Sequence, residues 1–455
     1  MCGIIGFYGV PGASIDAANG MRPLQHRGQE AAGVVSSDGE ELHRHRGPGL
    51  VETVFRKIDF AVDLPGDAAI GHLRYSTSGD QGSIGSNRSI QPLMDDSMIQ
   101  QLAVVHNGNL TNAAALRMAL EQDGAIFNSR SDTEVILHLA KRSKKTTMPE
   151  RLIECFDQIE GAYSLLALTP KALYAAVDPY GFRPLCYAPF RGGIMFASET
   201  CAFDMFDIPP ERVSFMEPGT LLEVFSSGLK PRQFKFGSAS HCRHCVFEWV
   251  YFARPDSRIW GHSVSTVRER FGRALARRHP VSADIVIAAP DSANNQALAY
   301  AKESGIPFCF GLVRSHYIGR TFINPDQRDR VSAVRLKLNP DAGVVTGKSI
   351  ILVDDSIVRG NTTGQVVGLL RGAGAREVHV RIASPPVIHP CYWGIDTPTK
   401  DELIAAVNPV ASIADLVGAD SVEYLTVEDV LEALNDPQGT RHCLTCFNCK
   451  HPTKP

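Results

Sequence analysis

"SIILVDDSIVRGNTTG" spans residues 349–364. Ile350 to Val353 form an unbroken aliphatic run, as expected of a strand buried on both faces of a parallel sheet. Asp354 and Asp355 stand at its carboxyl end, where open α/β sheets bind their ligands. A turn rich in glycine and hydroxyls follows, Ser356 to Gly360, and then a helix pattern in "TTGQVVGLLRGAG" at 362–374. Backbone N–H groups at such a helix start make an anion site. The hydroxyls of Thr362 and Thr363 add donors suited to a phosphate. Two adjacent carboxylates suit the vicinal hydroxyls of a sugar or a Mg²⁺ ion, which takes carboxylates while retaining waters. The plain alternative is an ordinary strand end with solvated acids. Apolar strand, Asp-Asp, hydroxyl and Gly-x-Thr-Thr occurring together argue against it.

The surrounding chain fits a doubly wound sheet. "STVRERFGRALARR" (265–278) has an amphipathic helical pattern, "ADIVIAAP" (283–290) reads as a buried strand, and "NNQALAYAKESG" (294–305) reads as a helix ending at glycine. "EVHVRIAS" (377–384) is a further strand. Alternation of apolar strands and helices predicts a parallel α/β sheet. Upstream the character differs. "AAIGHLRYST", "LAVVHNGNL", "YSLLALTP" and "TLLEVF" read as short strands, and "AAALRMALEQ" and "DTEVILHLAKRS" have helical spacing. This predicts packed sheets flanked by helices over 2–235, a hinge over 236–261, the α/β domain over 262–430 and a cysteine-bearing tail over 431–455.

A length of 455 residues accommodates two to three domains, and 44% hydrophobic with 21% charged residues fits a globular protein. The net charge of −3 gives no basic surface for nucleic acid. No stretch is long and apolar enough for a membrane span, and the start lacks the features of a signal peptide, so a cytoplasmic protein is expected. Eleven cysteines, an odd number in a long chain, do not read as a disulfide framework. Six of them cluster in sequence around 242–245, 391 and 443–449, which points to metal or catalysis.

The chain opens "MCGIIGFYG". Removal of Met1 would give Cys2 both a thiol and a free α-amine, whose ordinary pKa of about 8 lets it act as a base near neutral pH. A thiol beside such a base is an activated nucleophile. Alone, a cysteine here is more often a small buried hydrophobe. Four later segments change that weight: "PLQHRGQEAAG" (23–33), "GHLRYSTSG" (71–79), "VVHNGNL" (104–110) and "SRSDTEVI" (129–136). In order and spacing they resemble the glutamine amidotransferases of the N-terminal-nucleophile (Ntn) class. The resemblance implies an αββα sandwich. It also implies that Cys2 attacks the glutamine carboxamide, that Asn107 and Gly108 donate to the oxyanion, and that Arg74 pairs the α-carboxylate. Asp132 would pair the α-ammonium, with Arg27 also in the glutamine pocket.

Likewise "VDDSIVRGNTT" resembles the phosphoribosyl diphosphate (PRPP) motif of the type I phosphoribosyltransferases. The implied PRPP ligands are Asp354, Asp355, Ser356, Arg359, Gly360, Thr362 and Thr363, with Ser292 joining the two acids on Mg²⁺. "RSHYIGRTFINPDQRDR" (314–330) resembles the mobile loop that closes over PRPP and excludes water, carrying Tyr317 and Arg320. Both halves together, joined by "CVFEWVYFARPDS" (245–257), resemble the iron–sulfur branch of the amidophosphoribosyltransferase family. The implied reaction takes PRPP, glutamine and water to 5-phosphoribosylamine, glutamate and diphosphate, the first committed step of purine synthesis. Tyr251, Arg254 and Asp256 are the implied residues of an ammonia channel. Two positions depart from the family pattern, Ala293 after the "PDS" serine and Asn361 in the phosphate turn.

Spacing alone leaves zinc and iron–sulfur open for the cysteine cluster. The family resemblance implies a [4Fe–4S] cluster on Cys245, Cys391, Cys443 and Cys446, with Cys242 and Cys449 extra. It further implies purine nucleotides as feedback inhibitors and a homo-oligomer, a tetramer. A synthetase sharing only the first half would lack "VDDSIVRGNTT". A catalytically altered paralogue, or a PRPP- or nucleotide-binding regulator with an iron–sulfur cluster, is the other alternative. It would have no use for the set Cys2, Arg74, Asn107 and Asp132.

Overall fold

The computed structural model describes residues 1–75, 87–97, 101–225, 230–237, 242–315, 338–397 and 399–453. The short strands of the first half form two antiparallel sheets. One has seven strands in the order Ser214–Phe215, Cys186–Phe190, Gly193–Ala197, Gly3–Tyr8, Ala68–Arg74, Ala31–Ser37 and Leu42–Pro48. The other has six, in the order Arg232–Lys235, Thr220–Phe225, Ala172–Val177, Gly161–Thr169, Leu102–Leu110 and Leu93–Asp95.

The sheets pack face to face, and alternation decides what each strand contributes. Ile4, Val35, Ile70, Val105, Leu166, Leu173 and Phe196 fill the space between them. Ile5, Phe7, Val34, Ala69 and Leu73 face outward against the helix Ala13–Met21. The outer face of the second sheet carries Val104, Leu165 and Leu221 against the helices Thr133–Arg142 and Met148–Phe156. The result is the αββα sandwich of the Ntn fold. The opening strand is central, paired with Gly193–Ala197 on one side and Ala68–Arg74 on the other. A chain terminus that would otherwise fray is thereby held rigid.

In the second half, four parallel strands run in the order Ile285–Ala288, Ser349–Asp354, Glu377–Ile382 and Ser421–Tyr424. The helices Val264–Arg278, Asn294–Ser304 and Asn361–Gly372 cover them, burying Phe271, Leu275, Ala297, Val366 and Leu370. This is the parallel α/β sheet that the resemblance to type I phosphoribosyltransferases implies. The fourth strand is absent from the expected pattern because Ser421–Tyr424 buries only alternate residues at the sheet edge. Residues Glu248–Phe252 form a π-helical turn where the sequence reads only as hinge. Among the described residues, no helix is long and apolar enough to cross a membrane.

Candidate functional site

Cys2 sits at the head of the central strand, 7% exposed. Its backbone nitrogen lies 2.9 Å from Asn107 Oδ1, and its thiol approaches the Tyr75 carbonyl at 3.6 Å. Burial pushes the thiol pKa up, opposed by the nearby α-amine and Arg74. Met1 is fully buried, and burial lowers its α-amine to about 6. At about 6, the Met1 amine is largely neutral at pH 7.

Asn107 and Gly108 lie mid-strand in Leu102–Leu110. With Oδ1 taken by Cys2, Asn107 Nδ2 is buried with no hydrogen-bond partner among the described residues. A buried donor left unpaired costs roughly 1–3 kcal/mol, so such a group invites a ligand oxygen. Gly108 admits no side chain, since a Cβ there would lie 1.9 Å from the Ala162 carbonyl oxygen. Asp132 caps the helix Thr133–Arg142 and accepts from the Thr133 and Leu110 nitrogens at 2.8 and 2.9 Å. It remains a quarter exposed. Arg74 ends its strand with a side chain 12% exposed, 3.9 Å from Glu30.

Arg27 departs from its expected role as a pocket lining residue. Its side chain is fully buried, and its guanidinium is occupied by Glu199 and Glu248, while Nε donates to the Cys2 carbonyl at 3.0 Å. Two carboxylates out of water capture it, so it stands behind Cys2.

In the second half, Asp354 ends its strand, and Asp355 is buried just beyond. Both carboxyl pKa values are raised, chiefly by burial; for Asp354 the neighbouring Asp355 adds to the rise. The Ser292 hydroxyl and Ser356 Oγ, the latter at 2.6 Å, donate to Asp355, and buried Arg268 opposes the rise. Gly360 precedes the helix at a φ of 81°, in the left-handed region that glycine tolerates. Thr363 is buried in the first turn, and Thr362 is exposed. Arg359 is held 2.7 Å from Glu402. Asp291, beside Ser292, pairs with Arg314 at 3.0 Å. Tyr317 and Arg320 lie outside the described residues.

The hinge segment joins the two. Tyr251 is 37% exposed, and its ring packs edge-on against Phe252. Arg254 Nε pairs with Asp256 at 2.9 Å. From the other side, the segment 391–396 lies on the strand of Asn107. Asn109 Nδ2 donates to the Tyr392 carbonyl at 2.9 Å, and Gly394 packs directly on the Gly108 backbone. Asp396 feels both the chain's α-amine and Arg359.

Four cysteines meet below this contact. Strands His244–Cys245 and His442–Cys443 pair in parallel, with Cys245 opposite Cys443. Cys245, Cys391, Cys443 and Cys446 line one small cavity with Phe247, Trp393 and Ile395. The Trp393 backbone N–H donates to Cys391 Sγ at 3.3 Å. Burial pushes the Cys245 thiol up to about 12 and Cys443 to about 11. Cys242 and Cys449 do not line the cavity; Cys449 is exposed. Among the described residues, no group of three or more His, Cys, Asp or Glu is set to hold a metal ion.

Sequence reasoning missed Glu199, Glu248, Arg183 and Arg268, all buried. The available signal was a lone charge inside an apolar run, as in "VFEWV" (246–250) around Glu248.

A glutamine amidotransferase domain model matches residues 72–205. A chloroplastic amidophosphoribosyltransferase of Vigna aconitifolia is 43% identical over 455 residues, covering 100% of this chain and 92% of its own. The chain belongs to the amidophosphoribosyltransferase family. The family's Bacillus subtilis member is 42% identical, over 100% of this chain and 94% of the relative. A solved glutamine PRPP amidotransferase of B. subtilis, complexed with ADP and GMP, superposes with a TM-score of 0.90 at 41% identity. It covers 100% of this chain and 98% of that one. A second structure, described as the allosteric regulatory enzyme of purine biosynthesis, gives a TM-score of 0.91 at 42% identity, over 100% and 96% of the two chains.

Proposed function

We propose that this chain joins two half-reactions: glutamine hydrolysis at Cys2, and displacement of diphosphate from PRPP by the released ammonia. The products are 5-phosphoribosylamine, glutamate and diphosphate. The chain is thus a glutamine-dependent phosphoribosyltransferase of purine synthesis, in keeping with its family. The observation that carries the glutaminase assignment is Asn107 Nδ2 beside Cys2, buried and without a partner among the described residues. Once Met1 is removed, the Cys2 α-amine takes the thiol proton and the sulfur attacks the carboxamide carbon. Asn107 Nδ2 and the Gly108 N–H donate to the oxyanion, Arg74 holds the α-carboxylate and Asp132 the α-ammonium. Ammonia leaves, and water releases glutamate from the thioester.

At the second site, Thr362, Thr363, Ser356 and the N–H groups near Gly360 cradle phosphate, while Asp354 and Asp355 receive the ribose hydroxyls. Arg359 would exchange Glu402 for phosphate. Asp354, Asp355 and Ser292 fit Mg²⁺, a cation that needs only one or two carboxylates beside substrate phosphates. When bound, it neutralises charge on the diphosphate leaving group. Ammonia is mostly protonated in neutral water, so a closed path along Tyr251, Arg254 and Asp256 is part of this reading. The loop residues Tyr317 and Arg320 would exclude water over PRPP.

Cys245, Cys391, Cys443 and Cys446 would hold a [4Fe–4S] cluster that ties hinge to tail. Four cysteines lining one cavity, drawn from hinge, mid-domain and tail, support this reading. We also propose a cytoplasmic, reducing setting, supported by eleven free cysteines. A tetrameric assembly and purine nucleotides as feedback inhibitors complete the reading. The nucleotide assignment draws on the ADP and GMP bound to the B. subtilis relative.

The test measures glutamate and diphosphate release, each with the other substrate present and absent. Coupled release from glutamine and PRPP is expected, with ammonia able to replace glutamine. PRPP binding without release of either product would make the chain a regulator.

A further inference from the structure

A buried group of charges joins Arg27 to the hinge between the two halves. The side chains of Glu199, Arg27, Glu248 and Arg183 are all fully buried. Glu199 follows the strand Gly193–Ala197, and its two oxygens face different ways. Oε1 accepts from Arg27 and lies 2.8 Å from His26 Nε2, both in the amidotransferase half. Oε2 accepts from the Arg254 N–H at 3.0 Å and from Ser257 Oγ at 2.8 Å, both in the hinge. Arg27 continues the chain of contacts, donating from Nε to the Cys2 carbonyl at 3.0 Å and from both terminal nitrogens to Glu248 at 3.0 and 2.9 Å. Beyond the hinge, buried Arg268 holds the Trp249 and Ala253 carbonyls at 2.8 and 2.9 Å.

Burying such ions costs several kcal/mol each, and apolar side chains of like volume often stabilise a fold at least as well. Stability alone therefore does not account for four charges here. Direction does: hydrogen bonds to a carboxylate fix geometry in a way that apolar contacts do not. We propose that Glu199 is a positioning residue whose carboxylate ties the Cys2 main chain, through Arg27, to residues 254–257. The conformation of the hinge thereby sets the aim of the nucleophile. The inference rests on the reading of Cys2 as the glutaminase nucleophile.

The test uses the full chain with Glu199→Gln, Ser257→Ala and Cys2→Ala. Glutamate release from glutamine is measured beside ammonia-supported diphosphate release. Glu199→Gln is expected to lower the glutamine kcat about tenfold or more, leaving glutamine KM and the ammonia-supported rate within about twofold. Ser257→Ala, which removes one donor from Oε2, is expected to lower the same kcat by about two- to fivefold. Proportional loss of both activities in Glu199→Gln overturns the proposal, because it marks a merely structural role; so does an unchanged glutamine kcat. Should Glu199→Gln fail to fold, Ser257→Ala decides, and its unchanged glutamine kcat overturns the proposal. Normal glutamine turnover in Cys2→Ala would defeat the nucleophile reading itself. Loss in Cys2→Ala with normal turnover in the other two defeats only the positioning role.

Discussion

Asn107 divides its amide between structure and chemistry. Its oxygen takes the Cys2 N–H, and its nitrogen has no partner among the described residues, which leaves it open to the proposed oxyanion. Cys2→Ala removes the nucleophile and keeps that frame. Glutamine-dependent synthesis should fall to background while ammonia-dependent synthesis from PRPP persists, measured as diphosphate release. Intact mass of the active protein should begin at Cys2. His72 offers a pH test. It is buried on the strand Ala68–Arg74, neither ring nitrogen has a well-formed partner among the described residues, and burial lowers its pKa to about 3. The unfolded chain binds a proton below about 6.5 that the folded chain refuses. Stability should therefore fall as pH drops from about 6.5 towards 3, by at most about 1.4 kcal/mol per pH unit from this group. In His72→Leu the decline of Tm between pH 7 and 5 should be shallower than in the parent. Parallel profiles would remove His72 as the cause.

At the scale of elements, the turn between the strand Ser349–Asp354 and the helix Asn361–Gly372 gathers the acids and hydroxyls of one site. Its two carboxylates repel each other and are partly out of water, a cost that a cation and two sugar hydroxyls would relieve. Asp354→Asn with Asp355→Asn should abolish synthesis with either nitrogen donor and weaken PRPP binding at least about tenfold, read by calorimetry. Glutamate release in the absence of PRPP should survive, because Cys2 lies on a different sheet. Unchanged PRPP affinity would remove these two acids from the site. Much of this element was legible from its apolar run and its glycine. The pairing of Arg359 with Glu402 was not, because the two are far apart in sequence.

At the scale of the whole molecule, the C-terminal tail closes onto the hinge through the strand pair at Cys245 and Cys443. Cys391 in the same cavity belongs to the segment that packs on Gly108. A group bound by these thiols would brace hinge, tail and oxyanion strand together. Protein prepared without air should be brown, with about four iron and four sulfide per chain. Cys443→Ser should empty the site and lower Tm by several degrees. Cys242→Ser and Cys449→Ser should leave iron content nearly intact. Stoichiometric zinc without sulfide would overturn the cluster assignment.

The sequence by itself determined what short-range pattern can determine. Aliphatic runs and alternation specify strand type, and "VDDSIVRGNTT" and "VVHNGNL" carry residues of the two proposed sites in contiguous stretches, because each is a turn or strand built locally. Only the tertiary structure decided which distant residues come together. Arg27 looks like a pocket residue along the chain, yet two distant carboxylates, Glu199 and Glu248, capture it in the interior. Four of six clustered cysteines reach one cavity while Cys242 and Cys449 do not. Ion pairing and thiol convergence depend on distances through space between residues far apart in sequence, and no periodicity records those distances.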